Sequence, residues 1–132
     1  MKTYVLDSSA LMTFFEDRPG ADKVEELLAE AAEAKRPLAM SVVNWGEVYY
    51  SVWRARGEKA AAAKLGEIAQ LPIEIASVDM ELGKLAASFK AQHNLPYADC
   101  FAAALAQARK ATLVTSDKDF ERVGDIVRTI WI

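Results

Sequence analysis

The 132-residue sequence holds one cysteine, Cys100, and one histidine, His93. A lone thiol forms no internal disulfide, which excludes the small disulfide-stapled folds of secreted proteins. A lone histidine excludes acid–base cleavage by a histidine pair. No Gly-x-Ser-x-Gly elbow offers it a serine nucleophile, and zinc-ligand spacings are missing. Phosphate-cradling loops fail too: there is no Gly-x-Gly-x-x-Gly, and Val78 stands where a Walker loop ending at Gly83-Lys84 needs glycine. Glycine (6) and proline (4) are too scarce for a loop-rich or low-complexity chain. The longest uncharged run, Pro37 to Gly46, is about half of the ~20 residues a membrane helix needs. Asp7 interrupts the N-terminal apolar stretch before a signal-peptide core develops. The expectation is a cytoplasmic protein with no membrane partner.

What is present is a core. Hydrophobic residues make up 52% of the chain, enough to fill one domain spanning residues 1–132. The net charge of −3, from 16 basic and 19 acidic side chains, argues against affinity built on many phosphate contacts. Local cations, or metal ions that reverse the sign of an acidic site, are compatible with it.

Lys2 to Leu6 has a strand composition, and Ser8 or Ser9 is placed to cap a helix running to Phe15. After the turn Arg18-Pro19-Gly20, Val24, Leu27, Leu28 and Ala31 recur at helical spacing. Leu38 to Val43 reads as a second strand, followed by a helix from about Asn44 to Arg56, a break at Gly57 and an alanine-rich helix to about Gln70. Ile73 to Ser77 is a third strand. Asp79 caps a helix carrying Leu82, Leu85, Ala86 and Phe89, which ends near Asn94. Tyr97 to Lys110 is a helix so rich in alanine that close packing on a sheet is expected. Ala111 to Thr115 is a strand, Asp117 to Val123 a short helix and Ile126 to Ile132 a last strand. Strands alternating with helices imply an α/β fold: a central, mostly parallel sheet with helices on both faces.

The acidic residues then take on meaning. Asp7 ends the first strand and Asp117 follows the fourth, with Asp119 close behind. Glu47 and Asp99 fall in the first turns of helices that begin on the same sheet edge. Each has an ordinary explanation singly: a capping box for Asn44-x-x-Glu47, a helix dipole for Asp99, turn or cap roles for Asp7 and Asp117. Jointly, carboxylates gathered there repel and raise one another's pKa unless a cation intervenes. A hard divalent ion such as Mg²⁺, which takes oxygen ligands, relieves that repulsion.

The segments Val5-Leu6-Asp7-Ser8-Ser9-Ala10-Leu11, Asn44-Trp45-Gly46-Glu47-Val48, Leu95-Pro96-Tyr97-Ala98-Asp99-Cys100-Phe101 and Leu113-Val114-Thr115-Ser116-Asp117-Lys118-Asp119-Phe120 resemble, in order and spacing, the PIN domain. More closely, they resemble the ribonuclease toxins of VapBC-type toxin–antitoxin pairs. The resemblance implies a three-layer PIN fold, Mg²⁺ or Mn²⁺ dependence, metal-dependent endoribonuclease activity and a cognate antitoxin. It makes Asp7, Glu47, Asp99 and Asp117 an acidic catalytic quartet. Asp7 and Asp99 are its direct metal ligands, Glu47 and Asp117 bind directly or through water, and Thr115 and Asp119 are supporting positions. RNA, the antitoxin and a second copy of the chain in a homodimer are the expected partners.

The rival reading is a non-enzymatic Mg²⁺-binding phosphoacceptor of receiver type. Against it, serines rather than a second acid adjoin Asp7, and the C-terminal Arg128-Thr129-Ile130-Trp131-Ile132 lacks a lysine. A PIN scaffold that only binds partners is a third reading, which an intact quartet disfavours. Trp45, Tyr49 and Trp53 form an i, i+4, i+8 stripe that serves either the domain's core or an antitoxin helix. Lys118, Arg54 and Arg56 are candidate contacts to an RNA backbone or ordinary surface charges.

Overall fold

A computed structural model of the chain describes residues 2–132. Five strands, β1 (Tyr4–Leu6), β2 (Leu38–Ser41), β3 (Ile73–Ala76), β4 (Thr112–Thr115) and β5 (Thr129–Trp131), form one sheet in the order β3-β2-β1-β4-β5. Every neighbouring pair is parallel. Six α-helices connect them: α1 (Ser8–Phe15), α2 (Ala21–Ala34), α3 (Val42–Arg56), α4 (Glu58–Ala69), α5 (Met80–His93) and α6 (Tyr97–Ala108), with a 3₁₀ helix at Lys118–Val123. None is long and apolar enough to cross a membrane among the described residues.

Alternation along the inner strands sorts the core to two faces. Val5, Ala39 and Leu113 pack with α5 and α6, whereas Leu6, Met40 and Val114 pack with α1, α2, α3 and α4. The alanines explain how closely α6 lies on the sheet: residues 99–106 are all buried, and Ala102, Ala103, Ala104 and Ala106 among them have side chains too small to hold the backbone away. Gly57, at φ +95°, makes the sharp turn from α3 to α4 that a β-carbon would strain.

The strand order excludes the receiver reading, whose flavodoxin-like order is 2-1-3-4-5. Here the chain builds outward from β1 through β2 to β3, then crosses back to lay β4 on the other side of β1. Such a reversal opens a crevice at the carboxyl ends of the two strands concerned, and ligands of open α/β sheets bind there. Asp7 follows one of them and Asp117 the other.

Several local expectations are corrected. The second strand stops at Ser41 rather than Val43, because the Ser41 hydroxyl accepts from the Val43 N–H at 3.1 Å and caps α3. Asn44 is therefore inside the helix and is no capping residue, and Glu47 lies in the second turn, not the first. Asp7, not Ser8 or Ser9, caps α1, its Oδ1 accepting from the Ala10 N–H at 2.9 Å. The last strand is only Thr129–Trp131, since it pairs with β4 over Leu113–Thr115 alone.

Candidate active site

Asp7 sits at the end of the central strand, 1% exposed. Three donors hold its carboxylate and leave lone-pair capacity on Oδ2. Oδ1 accepts from the Ser9 hydroxyl at 2.7 Å as well as from the Ala10 N–H, and Oδ2 accepts from the Thr115 hydroxyl at 2.5 Å. Thr115 Oγ1 in turn accepts from the Asp117 N–H at 2.9 Å, so one hydroxyl ties β1 to the turn after β4. The Ser116 N–H donates to Ser9 Oγ at 3.0 Å and closes the same link from the other side.

Asp99 enters from the first turn of α6 and is 6% exposed. Its Oδ2 is buried without a hydrogen-bond partner. One carboxylate oxygen each from Asp99, Asp117 and Asp119 lie within 4.8 Å of one another. Asp117 is fixed by capping the 3₁₀ helix, its Oδ1 accepting from the Asp119 N–H at 2.9 Å. Asp119 also has Arg122 at 3.7 Å.

Glu47 completes the group from α3. Its Oε1 accepts from the Ser8 hydroxyl at 3.0 Å and from the Asn44 amide at 2.9 Å. The same amide donates to the Ala98 carbonyl at 3.1 Å, which pins α3 against the start of α6 next to Asp99. With Oε1 held twice, the orientation of Glu47 is set by two neighbours rather than by solvent.

All four members of the predicted quartet thus converge on one edge, but unevenly. Asp99, Asp117 and Asp119 form the tight trio, while the charges that act on Asp99 are those of Asp117, Asp7 and Glu47. Asp7 and Glu47 flank the trio, each anchored by hydroxyl or amide donors. Sequence reasoning missed Asn44, Ser8 and Ser9 as donors to these carboxylates. The Asn44-x-x-Glu47 spacing was the available signal, because i and i+3 share a helix face.

Electrostatics report the crowding. Burial raises the Asp7 carboxyl from 3.8 to about 6, against the lowering by Thr115, the Ala10 N–H and Ser9, with the Asp117 charge adding to the rise. Asp99 goes further, to about 8. Burial is the main cause. A hydrogen bond to Asp117 that only protonated Asp99 donates comes next, followed by the charges of Asp117, Asp7 and Glu47. The folded state therefore keeps protons that the unfolded chain gives up near pH 3.8. The resulting stability is complete below that pH and is lost as pH climbs through about 6 and about 8. Denaturant titrations in chelator should show stability falling across this window. Asp7→Asn should remove the part due to Asp7, at most about 3 kcal/mol for a shift of roughly two units. A flat profile in the parent would contradict the crowding.

The remaining expectations fall into place around the site. Cys100 is a buried thiol near the Leu95 carbonyl, and burial pushes its pKa up, as befits an inert side chain. His93 packs its ring against Phe89 at the end of α5. Trp45 and Tyr49 lean on the core, while Trp53 is 43% exposed and meets Tyr49 edge-on. The stripe thus divides between core and surface. Arg54 stacks over Tyr50 with its guanidinium carbon 5.3 Å from the ring centre.

A parallel sheet whose strand reversal gathers acidic side chains at one edge is the PIN arrangement. The family model of the PIN domain matches residues 4–126, and the chain belongs to the PIN domain family. Among solved structures it is similar to the VapBC2 complex of Rickettsia felis bound to promoter DNA (19% identity, 97% of each chain covered, TM-score 0.75). The DNA-bound VapBC of Salmonella typhimurium is similar at 16% identity, with 98% of each chain covered and a TM-score of 0.77. Mycobacterium tuberculosis VapC20, a Sarcin-Ricin loop cleaving toxin, shares 17% identity over 92% of this chain and 95% of that one, with a TM-score of 0.70. These likenesses concern the fold. No curated protein matches the sequence.

Proposed function

We propose that this chain is a cytoplasmic, metal-dependent endoribonuclease, the toxin of a VapBC-type pair, held inactive by a cognate antitoxin. The observation that carries the proposal is the Asp99 carboxylate, which has a buried, unpartnered Oδ2 and clusters with Asp117 and Asp119. A buried carboxylate oxygen without a donor is costly, and a cluster of them is more so. An all-oxygen set of this kind fits Mg²⁺ or Mn²⁺. Asp99 and Asp7 are the proposed direct ligands, with Asp117 and Glu47 binding directly or through water. A bound divalent ion would supply an activated water and neutralise charge developing on the phosphate.

The chain's own residues prepare that chemistry. Ser9 and Thr115 hold Asp7 in one orientation, and Ser8 and Asn44 do the same for Glu47. None of these carboxylates must reorganise when substrate arrives, which is the condition for electrostatic catalysis. The names of the similar structures support toxin activity on RNA and an antitoxin partner. A homodimer is proposed as the working assembly on the family resemblance.

The test is direct. Purified protein incubated with a structured RNA should cut it in Mg²⁺ or Mn²⁺, and chelator should stop the reaction. Cleavage that persists undiminished in excess chelator would overturn the metal dependence.

A further inference from the structure

We propose that the groove between α1, α3 and α4 is a subsite for the RNA strand flanking the scissile phosphate, gripped by Arg56, Lys64 and Arg18. The inference rests on the ribonuclease reading above. The groove encloses about 400 Å³. One end opens at Ser8 and Ser9, whose hydroxyls donate to Glu47 and Asp7, so it begins at the rim of the acidic cluster. From there it follows α1 to Glu16 and Arg18. At ~1.5 Å per helical residue that course is about 12 Å, room for a few nucleotides rather than for a single ion.

The lining has the chemistry a strand needs. Met12, Phe15 and Val52 form an apolar floor for sugars and bases. The charged groups are three cations against one carboxylate, Glu16, which already pairs with Arg18 at 2.7 Å. Lys64 reaches across with its ammonium 4.1 Å from the centre of the Phe15 ring and also pairs with Glu67. Arg56 ends α3 with no carboxylate in ion-pair distance among the described residues. On a chain of net charge −3, this positive groove lies beside a cluster that repels phosphate. RNA approaching the acidic site needs a cationic hold next to it, and the groove supplies one. A basic polypeptide segment, by contrast, would meet like charge there.

Binding of a fluorescent oligoribonucleotide, read by anisotropy in chelator over a range of salt, tests the groove apart from cleavage. Arg56→Gln should weaken binding about three- to tenfold, and Arg56→Gln with Lys64→Gln further. The slope of log affinity against log salt should fall by about 0.7 for each cation removed. Lys23→Gln, on α2 and paired with Glu26, should change neither. Unaltered affinity and slope in the double variant would overturn the groove while leaving the ribonuclease reading in place. An oligonucleotide bound through the groove but never cut in Mg²⁺ or Mn²⁺ would keep the groove and sink that reading. If the variants lose only a basic antitoxin peptide and hold RNA as the parent does, the groove belongs to the peptide and the proposal fails.

Discussion

Asp99→Asn should lower RNA cleavage about a hundred- to a thousandfold, while the protein folds and melts at the parent's temperature or above it. The size follows from replacing the one buried oxygen of the cluster that has no internal partner. Asparagine keeps the shape but exchanges one carboxylate oxygen, and the charge, for an NH2 group that donates and cannot ligate a cation, and losing one preorganised electrostatic contact has this order of effect. The direction of the stability change follows from charge. Asp99 is pushed up to about 8 by burial and by its acidic neighbours, so at neutral pH the chain takes up a proton at Asp99 as it folds, and a side chain that is neutral from the start avoids that cost. The same substitution should abolish any rise in melting temperature that Mg²⁺ gives the parent, since stabilisation by a ligand requires its site. Glu47→Gln should also be severe, because the proposed metal site loses one of its negative charges. Asp119→Asn should be milder, as Asp119 is partly exposed and has Arg122 close by. RNA cleavage at the parent's rate by Asp99→Asn would remove Asp99 from the ligand set.

Expression of the wild-type chain without a partner should arrest growth, cutting colony counts by orders of magnitude, and Asp7→Asn should not. Asp7 accepts from donors on both carboxylate oxygens, so a melting curve of purified Asp7→Asn that shows it folded is the control by which a difference in toxicity reports the acidic site. Asp7→Asn should nevertheless capture the antitoxin, because the surface offered to it is unchanged. We propose that this surface includes Trp53 and Tyr50, 43% and 49% exposed on α3, aromatic groups of the kind that anchor helix contacts. Trp53→Ala should therefore weaken antitoxin binding more than it alters RNA cleavage. Co-expression of the antitoxin should restore growth of cells carrying the wild-type chain. Normal growth under strong expression of folded wild-type protein, with RNA cleavage intact in vitro, would falsify the toxin role while leaving the nuclease reading.

Much of this was legible in the order of residues. The alternation of strand-forming runs with helical periodicity yields a parallel α/β sheet without further information, because parallel strands need crossover connections. Asp7, Asp117 and Asp99 stand out in the sequence because each falls where a strand gives way to a turn or a helix begins. The excess of alanine in Tyr97–Lys110 anticipates the close contact of α6 with the sheet. These features depend on spacing along the chain, and spacing is local.

The tertiary structure decided what lies between distant segments. The crossover from β3 back to β4 sets Thr115 against Asp7, 108 positions earlier, and no local pattern encodes that contact. Asn44 shows the limit most clearly. Its spacing from Glu47 suited a helix cap, yet Ser41 took the cap because its hydroxyl reaches the Val43 N–H. Asn44 was thereby carried into the first turn of α3, where its amide bridges Glu47 and the carbonyl of Ala98. The local sequence therefore determined which residues carry charge and on which sheet edge they emerge. Only packing decided which carboxylate oxygens are held by hydroxyls and amides and that Asp99 Oδ2, like the amide oxygen of Asn44, is left buried without a donor. Hydrogen-bond partners are assigned by the meeting of elements far apart in sequence, after the backbone has satisfied its own donors and acceptors.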